Sequence, residues 1–154
     1  MYSVKQSRFL KYIISAFVVF SLMLAAGTVS AQERLSISVN TANVRSGPGT
    51  EHAMLWRMEK YTPLKVVARQ GEWIFFEDFE KTRGWMHRDL VSSTETIITT
   101  GATCNIRTSP GTDHEIRFQA ESGVPFKVLE RRGPWIHIEH ADGDKGWIHE
   151  SLVW

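Results

Sequence analysis

The sequence predicts an all-β protein made of two copies of one small unit, placed after a removable leader. The chain matches itself at an offset of 62 residues: between positions 43 and 91, 20 of 49 residues are identical to the residue 62 positions later, without a gap. Short stretches alternate apolar and polar residues, and Gly or Pro separates them. No ten-residue stretch of either copy has helical periodicity, so each unit of about 60 residues is predicted to be a small barrel or sandwich.

The leader has the three parts of a secretory signal. Lys5, Arg8 and Lys11 form a basic start, an apolar run covers 13–26, and the small residues of 29–31 follow. The apolar run is 26 − 13 + 1 = 14 residues long, shorter than the roughly 20 residues that span a bilayer. We therefore predict cleavage of a signal peptide, residues 1–31, which leaves 154 − 31 = 123 residues in the periplasm or outside the cell.

Charge and composition exclude several classes of function for the mature chain. The full sequence has 18 Lys+Arg and 17 Asp+Glu, and cleavage removes three basic residues and no acidic ones, so 15 − 17 gives a net charge of −2. Such a chain lacks the basic stripe of a nucleic-acid-binding protein. No later run is apolar enough for a membrane span, and no motif points to a cofactor. Cys104 is the only cysteine, and we expect a small buried core residue, with an intermolecular disulfide or a reactive thiol as alternatives.

Each copy carries the same order of strand and turn signals. In the first copy, an alternating stretch begins at Pro63, and two short apolar or aromatic stretches begin at Trp73 and Gly84. Gly71 and its counterpart Gly133 precede the second stretch, where a tight turn between paired strands is expected. The predicted boundaries are 36–91 for the first domain, 92–96 for the linker and 97–154 for the second domain.

The repeated blocks resemble those of bacterial SH3-like domains. Asn-Val-Arg-Ser-Gly-Pro-Gly-Thr at 43–50 resembles the opening signature of that family, and its counterpart lies at 105–112. The later Gly-Trp blocks at 84–85 and 146–147 match the final conserved block. The resemblance covers nearly all of 36–154, and it implies two small SH3-like barrels in tandem, one for each repeat. It also implies an extracytoplasmic binding module for cell-wall peptides or protein partners.

Two positions depart from the family pattern. Tyr61 stands where the second copy has Gly123 and where the family usually has Gly, which predicts a different or strained turn in the first copy. Ser109 replaces Gly47, which indicates that this loop position does not need a positive φ.

The first candidate binding residues lie where a strand enters each Pro-Gly loop. Arg45 with Ser46, and Arg107 with Thr108, place a guanidinium and a hydroxyl at this point in both copies. A guanidinium offers fixed donors to a carboxylate of a wall peptide or a partner protein. The alternative, which we favour for the arginines, is an internal bond to loop carbonyls that holds the loop in shape.

Aromatic residues supply the other candidates. Trp73 and Trp135 are candidate ligand-groove residues, because aromatic grooves hold extended peptides in other binding domains. We expect Trp85 and Trp147 to be core residues. Trp154 is expected to pack against one of the two units.

Catalytic and metal-binding interpretations are weaker. Cys104 aligns with Ala42, so a catalytic thiol would be an addition to the second copy alone. His137 and Glu139 share one face of a strand and His140 takes the other, which does not gather three ligands. Histidines that recur in both copies, such as His87 and His149, indicate a structural role at a turn. The sequence therefore predicts no enzyme, no metal and no cofactor.

The functional prediction is a non-catalytic binding protein of the cell envelope. Its predicted ligand is cell-wall (peptidoglycan) peptide, and two modules on one chain can raise avidity. The alternative is a periplasmic adaptor that binds an envelope enzyme or receptor.

Overall fold

The computed structural model describes residues 32–154, and the predicted signal peptide and its cleavage site lie outside them. The described chain consists of thirteen strands and two short 3₁₀ turns. No helix among residues 32–154 is long and apolar enough to cross a membrane. The all-β prediction is confirmed, and the strands form two separate antiparallel sheets, one for each repeat.

The first sheet is built from the first repeat, with strand order β3-β2-β6-β5-β4-β1-β7. A 3₁₀ turn, Arg88–Leu90, precedes its last strand. The strands are β1 (Arg34–Ile37), β2 (Thr41–Arg45), β3 (Met54–Glu59), β4 (Pro63–Gln70), β5 (Trp73–Glu77), β6 (Arg83–His87) and β7 (Val91–Ser92).

The second sheet repeats this arrangement, with strand order β10-β9-β13-β12-β11-β8. The bridge between Thr99 and Val153 takes the place that β7 has in the first sheet, and the 3₁₀ turn Glu150–Leu152 precedes it. The strands are β8 (Thr96–Ile98), β9 (Cys104–Arg107), β10 (Ile116–Ala120), β11 (Pro125–Arg132), β12 (Trp135–Glu139) and β13 (Lys145–His149).

Strand alternation decides which side chains form each core. In β5, Ile74 and Phe76 are buried, while Trp73 and Phe75 on either side of Ile74 point outward and are half-buried. The same alternation holds in β12. Aliphatic and aromatic side chains from all the long strands meet inside each sheet; the largest fully buried ones include Phe76, Leu64, Ile74, Met86, Phe126, Ile136, Ile138 and Ile148.

The glycine of each Gly-Trp block lets two strands approach closely. A Cβ atom built on Gly84 would lie 2.2 Å from Cγ1 of Val44, and one built on Gly146 would lie 2.3 Å from Cγ2 of Ile106. Real Cβ atoms do not come this close, so an alanine would push apart two core strands. The repeated Gly-Trp pair therefore combines a packing requirement with an outward-facing indole.

The turn at Tyr61 keeps the backbone conformation of its glycine counterpart. Tyr61 has φ 70° and Gly123 has φ 88°, so the first copy has the strained alternative that the sequence left open. Gly71 and Gly133, both with φ 56°, form the predicted tight turns before β5 and β12. Gly47 has a negative φ, as the substitution by Ser109 indicated.

Cys104 is a core residue, as predicted. Its side chain is fully buried within the second core, and its thiol lies 3.6 Å from the carbonyl oxygen of Gly101. Burial raises the pKa of the Cys104 thiol. Its counterpart Ala42 is equally buried in the first core, so the position is a packing position in both copies.

The last residue of the chain connects the two barrels. The backbone of Trp154 pairs with Ile98 of the second barrel, through bonds of 2.9 and 3.2 Å. Its ring lies under the guanidinium of Arg34 from the first barrel, 4.0 Å from the ring centroid, and near the Lys65 ammonium at 5.3 Å. The expectation that Trp154 packs against a unit is confirmed, and it contacts both of them.

Candidate functional site

Each barrel carries a row of aromatic side chains on its outer surface, where β2, β6 and β5 lie side by side. In the first barrel, Arg45 is the cross-strand partner of Trp85, and Trp85 is the partner of Phe75. The rings of Trp85 and Phe75 are 5.0 Å apart. One pair further along, Trp73 meets His87 edge to face at 5.3 Å. We call these five residues the aromatic face of the first barrel.

The second barrel repeats this aromatic face with one change of residue type. Its members are Arg107, Trp147, His137, Trp135 and His149, and Trp135 meets His149 at 5.3 Å, as in the first barrel. His137 replaces Phe75 and stacks on Trp147 at 4.8 Å, almost parallel to it. The guanidinium of neighbouring Arg132 lies 5.0 Å from the same indole, and Trp147 is only 6% exposed as a result.

The prediction of core positions is wrong for Trp85, and the predicted burial of Trp147 is confirmed. Trp85 is half-buried on the outer surface. Trp147 is buried, but by His137 and Arg132 on the outer side of the sheet, and neither indole belongs to a core cluster. Alternation explains this, because Met86 and Ile148 take the inward positions of the same strands.

The loop arginines hold the Pro-Gly loops through internal hydrogen bonds. Arg45 Nη1 donates to the carbonyl oxygens of Thr50 (2.9 Å) and His52 (2.8 Å). Arg107 Nη1 donates to the carbonyl oxygen of His114 at 2.7 Å. The expected internal hydrogen bonds to loop carbonyls are thus present in both copies. Contact of either guanidinium with a ligand stays a prediction.

The two hydroxyl candidates lie at the start of the Pro-Gly loops. Ser46 and Thr108 are exposed and follow the two arginines directly. Their backbone N–H groups close the loops, donating to the carbonyl oxygens of Ala53 and Glu115 at 3.0 Å. The strand pairing thus places the candidates Arg45 and Trp73 on one aromatic face, and Arg107 and Trp135 on the equivalent face. Ser46 and Thr108 are exposed at the start of the adjoining loops.

The recurring histidines also have a structural part. Nδ1 of His87 accepts a bond from the backbone N–H of Asp89 (3.3 Å), and Nδ1 of His149 accepts one from Ser151 (3.3 Å). Each bond begins a 3₁₀ turn. The predicted turn role of these histidines is confirmed.

The His137–His140 segment separates its side chains. His137 and Glu139 lie on the outer surface with buried Ile138 between them. His140 turns away, 5.4 Å from the ring of Phe126 and 2.8 Å from a carboxylate oxygen of Asp142. Within residues 32–154, no three His, Cys, Asp or Glu side chains are arranged to hold a metal ion.

Sequence reasoning missed Phe75, His137 and the contribution of Trp85 to the aromatic face. The available signal was the alternation within β5: once Ile74 and Phe76 are assigned to the core, Phe75 must point outward, towards its neighbour on β6. The pairing register that brings Arg45 opposite Trp85 could not be read from the repeat alone.

The family of the chain follows from this repeated architecture. The model of the bacterial SH3 domain family matches twice, over residues 38–93 and 100–154. The chain belongs to the bacterial SH3 domain family. Both matches span the strands that carry an aromatic face, so the resemblance of the sequence blocks and the tandem SH3-like fold are confirmed.

Curated relatives with similar sequences are much longer than this chain. "Putative N-acetylmuramoyl-L-alanine amidase YrvJ" of Bacillus subtilis (strain 168) is 23% identical over 139 residues, covering 83% of this chain and 27% of the relative. "Probable cell wall amidase LytH" of Staphylococcus epidermidis is 35% identical over 52 residues, covering 33% of this chain and 18% of the relative. The chain thus spans about a quarter or less of the length of these relatives.

Two solved structures align with much of this chain at low TM-scores. A NlpC/P60 family protein from Bacillus cereus has a TM-score of 0.39 at 12% identity, with coverage of 79% of this chain and 56% of that one. NlpC2 from Trichomonas vaginalis has a TM-score of 0.37 at 11% identity, with coverage of 82% and 49%.

Proposed function

We propose that this protein is a non-catalytic, extracytoplasmic binding protein that recognises the peptide part of peptidoglycan through the aromatic faces of its two barrels. The observation that carries the proposal is the repetition of the aromatic face. Both copies keep the edge-to-face Trp–His pair at the same 5.3 Å and the same cross-strand Arg–Trp pair. Two outward-facing surfaces with the same residue pairs favour a binding function over a catalytic one.

The chemistry of each aromatic face suits a short peptide. The half-buried indoles of Trp73, Trp85 and Trp135 offer flat apolar surface and an N–H donor. An arginine at one end of each face can donate to a carboxylate. Stem peptides of cell walls carry both small apolar side chains and free carboxylates. The names of the relatives YrvJ and LytH, which describe amidases of the wall, support a wall ligand for the region that they share with this chain.

The two barrels bind as a pair in this proposal. Trp154 fixes one barrel to the other through Arg34, so two weak sites can engage one polymeric ligand at high effective concentration. A repetitive polymer such as peptidoglycan provides neighbouring copies of one peptide, and a soluble monovalent fragment does not.

Co-sedimentation of residues 32–154 with purified sacculi tests the proposal. We expect the protein to pellet with sacculi, also after protease treatment has removed attached proteins. The variant Trp73→Leu plus Trp135→Leu keeps an apolar cover on both sheets but removes the rings, and its retention should fall by about tenfold. A protein partner, the alternative function, would give retention that disappears after protease treatment.

A matched pair of charge variants separates specific contact from general attraction. Arg45→Gln plus Arg107→Gln removes two positive charges from the aromatic faces. Arg69→Gln plus Arg131→Gln removes two from equivalent positions elsewhere, where each arginine pairs with an exposed glutamate. The proposal requires a larger loss of pelleting for the first pair, with circular dichroism showing that both variants fold. Equal losses, or no pelleting of the wild-type chain, contradict it.

A further inference from the structure

A cavity of about 430 Å³ opens on the second barrel, away from the aromatic face. Its apolar lining comes from β10 and from the start of β11, with Phe118, Ala120, Val124 and Phe126. The volume lies within the range of about 300–1,000 Å³ that is typical of small-ligand sites. None of these residues is among the candidate binding residues that the sequence predicted.

The rim of this cavity is acidic. Glu121, Asp142 and Asp144 line it together with His140. Asp142 is engaged, since it accepts bonds from the backbone N–H of Asp144 (3.1 Å) and from His140 (2.8 Å), and these bonds hold the pKa of Asp142 below its usual value. Among residues 32–154, no cationic side chain forms an ion pair with Glu121 or Asp144. Two exposed carboxylates therefore line the cavity without an ion-pair partner among the described residues.

Comparison of the two repeats shows how the cavity arises. The counterparts of Phe118 and Ala120 in the first barrel are Trp56 and Met58, and each pair packs in the core of its own barrel. The second barrel thus has the smaller residue at both positions. The acidic loop also differs: Asp78, the counterpart of His140, is buried and accepts bonds from the backbone N–H groups of its own loop.

We propose that this cavity binds an alkylammonium group, in the form of a lysine-type side chain of a peptide ligand. The methylene chain would lie against the half-buried ring of Phe118, and the ammonium group would lie between Glu121 and Asp144. Charge complementarity selects the ligand, because a cavity with an aromatic wall and unpaired carboxylates at its rim favours a cation with an apolar stem over a neutral or anionic group.

The cavity has an extension that would accommodate the rest of such a peptide. A second cavity of about 380 Å³ is also lined by His140 and Asp142, and continues onto the first barrel at Asn40 and Lys60. A ligand longer than one side chain can therefore run from the second barrel to the first. Glu59 and Lys60 both line this part of the surface, so it offers partners to ligand groups of either charge.

Nα-acetyl-lysine N-methylamide is the probe for this site, with Nα-acetyl-norleucine N-methylamide as its uncharged counterpart. Titrations of ¹⁵N-labelled residues 32–154 should shift the amide resonances of Gln119, Gly143 and Asp144 with the lysine probe. We expect the norleucine probe to bind at least about tenfold more weakly, since the charged contact is lost. Equal affinity for the two probes, or shifts confined to the aromatic faces, would overturn the proposal.

Variants of the cavity give a second line of evidence. Ala120→Met introduces the residue of the first repeat and should fill the cavity, and Glu121→Gln plus Asp144→Asn removes the free carboxylates. Both should weaken binding of the lysine probe by about tenfold or more. The control Asp113→Asn plus Glu115→Gln removes two exposed charges of the same barrel outside the cavity and should bind as the wild type does. Unchanged binding in the folded cavity variants would contradict the assignment.

This inference does not depend on the proposed function. The lysine probe reports on the cavity alone, while sacculi report on the aromatic faces. Loss of one activity with retention of the other would therefore show which of the two assignments fails.

Discussion

Cys104 illustrates how a residue with reactive chemistry can be purely structural. Its side chain is fully buried, its counterpart is the equally buried Ala42, and burial raises the pKa of its thiol. The thiolate is the reactive form, so a raised pKa and an inaccessible sulfur both lower reactivity. These features disfavour the two alternatives, the intermolecular disulfide and the reactive thiol.

The native thiol of Cys104 should therefore resist modification. With Ellman's reagent at pH 8, we expect the native chain to react at least about a hundredfold more slowly than the chain in denaturant. Rapid stoichiometric reaction of the native chain would show that the sulfur is accessible. Substitution Cys104→Ala, which introduces the residue of the first copy, should leave sedimentation with sacculi unchanged.

In β6 and in β13, two neighbouring residues meet opposite requirements, one for close packing and one for an outward-facing ring. Gly84 and Gly146 lie against a core side chain of β2 or β9, with no space for a Cβ atom. The next residue, Trp85 or Trp147, points the other way onto the aromatic face. The Gly-Trp pair therefore links the tight packing of the barrel to the position of the indole.

Alanine at either glycine should destabilise its barrel. Because the built Cβ of Gly146 meets both Ile106 and, at 3.0 Å, the carbonyl oxygen of Arg107, we expect Gly146→Ala to lower the free energy of unfolding by about 1–3 kcal/mol. Urea denaturation followed by tryptophan fluorescence measures this. Lys145→Ala, at the exposed neighbouring position, should change it by no more than about 0.5 kcal/mol. Similar values for the two variants would show that the close approach has little effect.

How much of the fold was predictable differs between its elements. The strands at Pro63, Trp73 and Gly84 and their turns follow from local alternation and Gly signals, which need no long-range information. The outer placement of Trp85 was missed because large aromatic residues are usually assigned to the core, and only the register with Phe75 and Arg45 reverses that assignment.

The sequence predicted which residues belong to the candidate site better than it predicted how they are arranged on the barrels. The repeat drew attention to the paired arginines and to Trp73 with Trp135, and the structure places them on equivalent surfaces. The cavity of the second barrel was not predictable, because it depends on positions where the copies differ. A search for identical residues passes over such differences, as at Ala120 and Met58.

At the scale of the whole molecule, the contact of Trp154 with the first barrel determines how the two barrels act together. The ring lies against Arg34 and Lys65 while its backbone is part of the second sheet. The two barrels also approach each other at Gly123 of the second barrel, where an added Cβ atom would lie 3.7 Å from the ring of Phe79 of the first. Both contacts involve residues that differ between the repeats.

Removal of the Trp154 ring should loosen the two barrels. The cation–π contacts contribute about 0.5–2 kcal/mol each, and we expect Trp154→Ala to shorten the rotational correlation time obtained from ¹⁵N relaxation, while Trp154→Phe retains most of it. Circular dichroism should show intact strands in both variants. A correlation time unchanged by Trp154→Ala would mean that other contacts fix the barrels.

The central claim is that the aromatic faces bind wall peptide, and a titration of ¹⁵N-labelled residues 32–154 with a soluble muropeptide tests it most directly. The account predicts that the indole N–H resonances of Trp73 and Trp135 shift together with the guanidinium resonances of Arg45 and Arg107, and that these shifts disappear in Trp73→Leu plus Trp135→Leu. Saturating muropeptide that leaves the resonances of both aromatic faces in place would contradict it.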